Sequence, residues 1–159
     1  MKRTVIFTLV IFCLSYTINA QVNPHAIGLR VGGNGDINGA ELSYQKGFND
    51  VNRLEVDLGF GGNSHHTRFS LVGIYHWVWN ITEGLNWYAG PGAGVGFYRY
   101  DNSDDSFNVG LGGQIGLEYD FNTLDAPILV SLDVRPMWDF IGDHSGLGWG
   151  VALGVRYTW

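Results

Sequence analysis

Two clusters in this sequence carry residue types that could do chemistry. His65, His66 and His144 lie in polar segments with Asp101, Asp104, Asp105 and Asp143. Histidine with carboxylate suits zinc, and oxygen ligands alone suit calcium. The spacing fits no metal motif, so solvated loops are expected there and no metal. The second cluster pairs serine with a base: Ser145 follows Asp143 and His144, and Ser64 precedes His65 and His66. Nucleophilic catalysis needs a serine within hydrogen-bond reach of a base that a carboxylate orients. Neighbours on one strand point to opposite faces, which argues against His144 with Ser145. There is no Gly-rich phosphate loop, nucleotide fingerprint or metalloprotease helix. No cofactor and no enzymatic activity are therefore expected. Asn80-Ile81-Thr82 fits a glycosylation acceptor and is read as a chance match.

A third set is larger. Arg30, Glu41, Arg53, Glu55, Asp57, Arg68, Glu118, Asp120, Asp133, Arg135, Asp139 and Arg156 fall on the polar face of segments whose other face is apolar. The clearest such segment is 146–159. Leu147, Trp149, Val151, Leu153, Val155, Tyr157 and Trp159 alternate with Gly148, Gly150, Ala152, Gly154, Arg156 and Thr158. A period of two makes one strand face apolar and leaves the other small or polar. The same pattern predicts seven more strands, over 25–33, 39–48, 52–61, 67–80, 84–100, 107–121 and 127–140. Asn, Asp and Gly punctuate the reversals. The fourth is the least clean, because Val72, Ile74 and Val78 share a face with Arg68, Ser70 and His76. Pro91 cannot donate to a ladder, so a bulge or local break is expected there.

Each segment reaches or approaches the roughly 9–11 residues that a tilted strand needs to cross a bilayer. The aromatic residues give an independent check. Trp77, Trp79, Trp87, Tyr119, Phe121, Tyr157 and Trp159 group at one predicted rim, and Phe60, Phe69, Phe97, Phe107, Phe140 and Trp149 at the other. Two girdles separated by aliphatic residues are what interfacial partitioning of aromatic rings produces. A mean hydropathy of +0.01 agrees, since the two faces of each strand cancel.

The start of the chain reads as an export signal. Lys2 and Arg3 precede an apolar run over 4–14, and small Ala20 offers a cleavage point before Gln21. Phe12 precedes Cys13 where a lipobox wants a small residue, so lipidation is not expected. Residues 1–20 are thus taken as a signal peptide and 21–159 as one domain without cysteine. Losing Lys2 and Arg3 takes the formal charge from −6 to −8. Such acidity argues against a nucleic-acid partner.

On these eight alternating segments, the two girdles and the terminal aromatic, the chain resembles the small eight-stranded outer-membrane proteins of the OmpA/OmpX-like superfamily. The Ala20–Gln21 junction and the sparse loops are similar to the Bacteroidota type. The resemblance implies an all-β, antiparallel, up-and-down transmembrane barrel with short loops and both termini on the periplasmic side. It implies outer-membrane lipids as surroundings, and an assembly machinery that reads Tyr157 and Trp159. Barrels of this size that modify the acyl chains of lipid A use Ser and His at the outer rim, but their surrounding sequence is not present here. The charged face is then a lumen. Buried ions must be paired or wet, so a plugging network is expected, with Arg156 meeting Asp133, Asp139 or Glu41. A narrow ion or small-solute channel is the alternative. Inward Gly90, Gly92, Gly94, Gly96, Gly110, Gly112, Gly116, Gly148, Gly150 and Gly154 predict one thin wall, unless Tyr88, Tyr98 and Tyr100 fill it. The expected role is structural or interactive.

Overall fold

Alternation of period two, sustained over nine to seventeen residues at a time, builds eight strands. They are β1 (His25–Gly33), β2 (Asn38–Asn49), β3 (Asn52–Asn63), β4 (His66–Thr82), β5 (Leu85–Tyr100), β6 (Ser106–Asp120), β7 (Ile128–Ile141) and β8 (Gly146–Thr158). The computed structural model describes residues 21–33, 38–63, 66–100, 106–141 and 146–159. The expected signal peptide lies outside these residues. So do Ser64, His65, Asp101, Asp104, Asp105, Asp143, His144 and Ser145, and the side chains of His66, Arg68, Tyr98 and Tyr100.

Each strand pairs antiparallel with its sequence neighbours, and β1 pairs with β8 to close the barrel. Closure matters because an open edge would leave backbone N–H and C=O groups unpaired in lipid. The pairing path gives the stagger. From Ile27 it runs through Tyr44, Val56, Gly73, Ala93, Leu111 and Trp138 to Leu147. Ile27 itself pairs with Tyr157, ten residues further along β8. A stagger of that size in eight strands tilts them by about 40° from the barrel axis. The termini and the connections β2–β3, β4–β5 and β6–β7 share one end, called here the turn end. The other connections share the opposite, loop end.

The two faces separate as the alternation requires. Leu29, Leu132, Val151 and Leu153 on the outside are each more than half exposed, while Ser43, Glu55, Asp57 and His76 on the inside are sealed. Large apolar side chains outside and ions inside make this the fold of a transmembrane barrel. Aromatic rings gather at both ends of the outer surface. Trp79 stacks on Trp87 at 4.3 Å and Tyr119 meets Phe121 at 4.7 Å near the turn end. Phe60 with Phe69 and Phe97 with Phe107 do so near the loop end, at 5.3 and 5.2 Å. The uneven fourth segment resolves into the same scheme, with Val72, Ile74 and Val78 buried in the lumen beside His76.

Pro91 produces a break without a bulge. The β4–β5 ladder skips from Ile74–Gly92 to Trp77–Ala89, with no net slip, where Pro91 lacks the N–H to donate. Pro136 does the same between β6 and β7, from Gly112–Met137 to Ile115–Val134. At each break a glycine admits the neighbouring backbone: a Cβ on Gly90 or Gly112 would collide with the carbonyl oxygen of Tyr75 or Pro136. The sixth strand ends at Asp120, one residue before the predicted boundary. Phe121–Leu124 instead forms a 3-10 turn capped by Asp120, which accepts from Asn122 N at 2.9 Å.

The segment 21–24 crosses the turn end of the lumen. Val22 N donates to Asp50 O at 3.1 Å, and Pro24 O accepts from Gly47 N at 2.9 Å. Asn23 Nδ2 donates to Asp120 Oδ2 at 2.7 Å, and Val22 packs against buried Val78 and Tyr88. Trp159 completes the seam, exchanging two backbone hydrogen bonds with His25 and stacking on its ring at 5.4 Å.

The seam also depends on Gly28, where a Cβ would collide with the carbonyl oxygen of Val155. Gly28→Val is expected to cost about 2 kcal/mol or more, the range for overpacking, read as a lower urea midpoint. Gly150→Ala, whose added carbon meets nothing nearer than 3.7 Å, should leave the midpoint unchanged.

The charged lumen as candidate functional site

Long arginine side chains from β1, β3, β7 and β8 reach across the lumen, because the small residues beside them leave room for their stems. They meet carboxylates from β2, β3, β6 and β7. Arg53 makes a two-pronged ion pair with Glu118, at 3.0 and 2.6 Å. Its Nε donates to His76 Nδ1 at 3.3 Å, and the guanidinium lies 4.7 Å from the centre of the Tyr88 ring. Tyr88 is fully buried, and its hydroxyl donates to Asp133 Oδ2 at 3.2 Å. Planar guanidinium forks suit such paired acceptors better than an ammonium would.

Glu55 sits at the centre of the lattice. One of its oxygens accepts from Arg156 at 3.0 Å and from Gln45 at 2.5 Å. The other accepts from Arg135 and Gln114, both at 3.3 Å. Arg135 also pairs with Asp57 and with Glu41, the latter at 3.1 Å. Arg30 joins Glu41 at 2.5 Å and grips Asp133. Glu41 and Asp133 thus connect the loop-end arginines to Tyr88, whose ring face meets Arg53 below, while Asp57 Oδ1, His76 Nε2 and Arg135 Nε are left without a partner among the described residues.

The expected network is present for Arg30, Glu41, Arg53, Glu55, Asp57, Glu118, Asp133, Arg135 and Arg156. Arg156 does not take the expected partners. Asp133 and Glu41 are held by Arg30 and Arg135, so Arg156 pairs with Glu55 and directs its other nitrogens to Ser43 and Ser131, at 2.9 and 2.7 Å. Asp120 faces inward yet serves the turn end, binding Asn23 and Asn122. Asp139 lines a cavity in the loop-end half. The side chain of Arg68 lies outside the described residues. Asn80, in the chance glycosylation match, donates to Thr82 O and Asn86 Oδ1 at 2.9 and 2.8 Å.

Side chains cover part of the glycine-rich wall. Tyr88 covers Gly116, and Ser131 and Arg156 cover Gly154. Toward the loop end a cavity of about 140 Å³ remains, floored by Arg30, Glu41 and Arg135. The neutral linkers carry no signal in the sequence. Parity places Gln45, Gln114, Ser43 and Ser131 inward, but nothing in their spacing shows that they bridge arginine to carboxylate. Asn108 and Leu129, both buried in the lumen, stand outside the inward set that the sequence predicts. Among the described residues no three His, Cys, Asp or Glu side chains meet as a metal site.

The sequence matches no protein-family profile and no curated protein. Solved structures do resemble the chain. Neisserial surface protein A (NspA) superposes with a TM-score of 0.64 at 16% identity, over 85% of this chain and 95% of that one. The N-terminal β-barrel domain of Pseudomonas aeruginosa OprF gives 0.61 at 20% identity, over 87% of this chain and all of its own. Ail, the attachment invasion locus protein of Yersinia pestis, gives 0.50 at 13%, over 85% and 96%. The likeness is one of fold. It matches the closed eight-stranded architecture, and the ion lattice is described from this chain's own residues.

Removing one partner of a buried pair strands the other ion. Arg53→Met is expected to destabilise the barrel by about 3–5 kcal/mol in urea unfolding. Adding Glu118→Leu to it should recover most of that loss, because both charges are then gone. A double variant as unstable as the sum of the singles would contradict the pairing.

Proposed function

We propose that the chain is an integral outer-membrane protein whose closed, ion-filled barrel serves a structural or interaction role. The observation that carries this reading is the lattice around Glu55. Four arginines and five carboxylates are bonded wall to wall inside a barrel whose outside is apolar. Eight strands leave an interior that side chains can fill, and here they do fill its central and turn-end parts. A protein with this surface is at home in lipid, and the strand tilt and aromatic girdles support insertion across a bilayer. Export after cleavage at Ala20 fits the same reading.

Tyr157 and Trp159 are the residues we assign to recognition by the outer-membrane assembly machinery. Both are more than half exposed on the outward surface of the closing strand. The reading is non-enzymatic. The buried His76 is bonded to Arg53, and Ser43 and Ser131 are occupied by Arg156, so none of them forms a nucleophile–base pair. No nucleic-acid partner is proposed for so acidic a chain.

Reconstitution in planar bilayers, with heat-dependent gel migration as the check on folding, tests the proposal. The folded protein is expected to show no discrete, ion-selective conductance steps. Arg53→Ala with Glu118→Ala, which removes the turn-end pair, should introduce a leak. Regular conductance steps from the unaltered protein would show a channel instead.

A further inference from the structure

The two ladder breaks meet at one level of the barrel wall. Intact pairing sets Pro91 opposite Gly113 across β5 and β6. On the far side of β5 the register carries Pro91 to Tyr75, the pair that the β4–β5 ladder skips. On the far side of β6 it carries Gly113 to Pro136, the pair that the β6–β7 ladder skips. Tyr75, Pro91, Gly113 and Pro136 therefore form a row across the sheet, and each proline withholds an N–H from the carbonyl it faces. Toward the loop end the two seams differ. The β4–β5 ladder runs unbroken from Ile74–Gly92 to His66–Tyr100. The β6–β7 seam has only Gly112–Met137, Leu111–Trp138, Gly110–Asp139 and Val109–Ile141, with a register shift between Val109 and Gly110.

Among the described residues, the ion lattice does not reach past this row on β5 and β6. Its contacts on those strands are Tyr88, Gln114 and Glu118, all on the turn-end side. On the loop-end side the described inward positions are Gly92, Gly94 and Gly96 on β5 and Asn108, Gly110 and Gly112 on β6. Glycine has no side chain to tie to the opposite wall. Asn108 is buried, yet its Oδ1 has no hydrogen-bond partner among the described residues. The side chains that lean across the seam come from β7, where Asp139 lies over Gly110 and Met137 over Gly112. Outside, Leu111 and Trp138 are more than half exposed toward lipid.

We propose that residues 92–97 of β5 and 107–112 of β6 form a flap that opens the barrel sideways between β6 and β7, hinged on the Pro91–Gly113–Pro136 row. The break between Tyr75 and Pro91 lets β5 bend at the level of the hinge, while the unbroken ladder above it keeps the flap joined to β4. Only the β6–β7 pairs part. Their parting opens the loop-end cavity, which Gly94, Gly96, Asn108 and Met137 help to line, toward the surrounding lipid. The lattice below the hinge keeps its bonds, and the turn-end part of the lumen stays closed. The flap depends on the fold and not on whether the lumen conducts.

Backbone amide exchange of the refolded barrel, followed by NMR in detergent micelles, tests the flap, because exchange reports local opening. Leu111 and Trp138 face each other on the loop-end side of the hinge, and Ile115 and Val134 on its turn-end side. Asp57 and Val72 pair at the flap's own level in the unbroken β3–β4 ladder, reached from Gly110 through Gly94. Leu111 and Trp138 are expected to exchange together, about tenfold or more faster than either reference pair. Pro136→Ala returns the missing N–H and should slow both by about fivefold, the worth of one hydrogen bond. Residues 21–159 contain no cysteine, so Leu111→Cys with Trp138→Cys gives a second handle. Its oxidation should slow the amides at both positions to the reference rate, and reduction should restore the fast one. Heat-dependent gel migration confirms that each variant is folded. The proposal is overturned if Leu111 and Trp138 exchange as slowly as the reference pairs, if protection along β6 changes evenly with no step at Gly113, or if neither folded variant alters their rate.

Discussion

Glu55 accepts hydrogen bonds from two arginines and two glutamines at once, and the rest of the lumen is arranged around that carboxylate. Arg156 reaches it from β8 and Arg135 from β7, while Glu55 itself stands on β3. One anion therefore ties together strands that are not neighbours in the sheet. The backbone ladder cannot do this, because it joins only adjacent strands. Burying so many ions is costly, and an isolated one would not be tolerated. Sharing of acceptors is what makes the arrangement stable: Glu41, Glu55 and Asp133 each accept from more than one donor.

The sheet and the lattice constrain each other. A stagger of ten residues in eight strands sets the width of the lumen, and that width lets an arginine on one wall reach an acceptor on the opposite wall. Glycines beside the arginines supply the volume their stems occupy, as at Gly154 next to Arg156. Two prolines interrupt the ladder without shifting its register, and a glycine at each break, Gly90 beside Pro91 and Gly112 across from Pro136, lets the chains press together. The turn end is closed separately, by Val22 against Tyr88 and by the Asn23–Asp120–Asn122 hydrogen bonds. A cavity of about 140 Å³ lies in the loop-end half.

Much of this is legible in the sequence, for a physical reason. Strand side chains alternate inside a regular strand, so the parity of Arg53 or Glu55 along the chain already fixes its face. The ends of strands are nearly as plain, because Asn, Asp and Gly mark the turns. Partner choice is not legible. Arg156 has Asp133 on the neighbouring strand, yet it crosses to Glu55, because the stagger sets which levels face each other and Arg30 already holds Asp133. Parity sets Val72 and Ile74 on the face of Ser70 and His76, but the predicted inward set leaves out Leu129, which also fills the lumen. In the sequence Asn108 looks like one more polar residue near a loop. Its unpaired oxygen is a property of three-dimensional packing, which no spacing rule reveals.

Architecture of this kind is shared by proteins with unrelated roles, so the functional account stands on the lattice itself. The proposed role rests on a lumen filled by paired ions inside a barrel whose outer surface is apolar. The lattice must therefore be dry at its centre. Hydrogen–deuterium exchange of the arginine Nε–H groups, followed by NMR on the refolded barrel, tests this most directly. The account predicts that Arg53 and Arg156, whose Nε–H groups donate to His76 and Ser43, exchange far more slowly than free arginine in the same buffer. Exchange as fast as that of free arginine at both sites would mean that water threads the lumen, and the sealed-barrel account would fail.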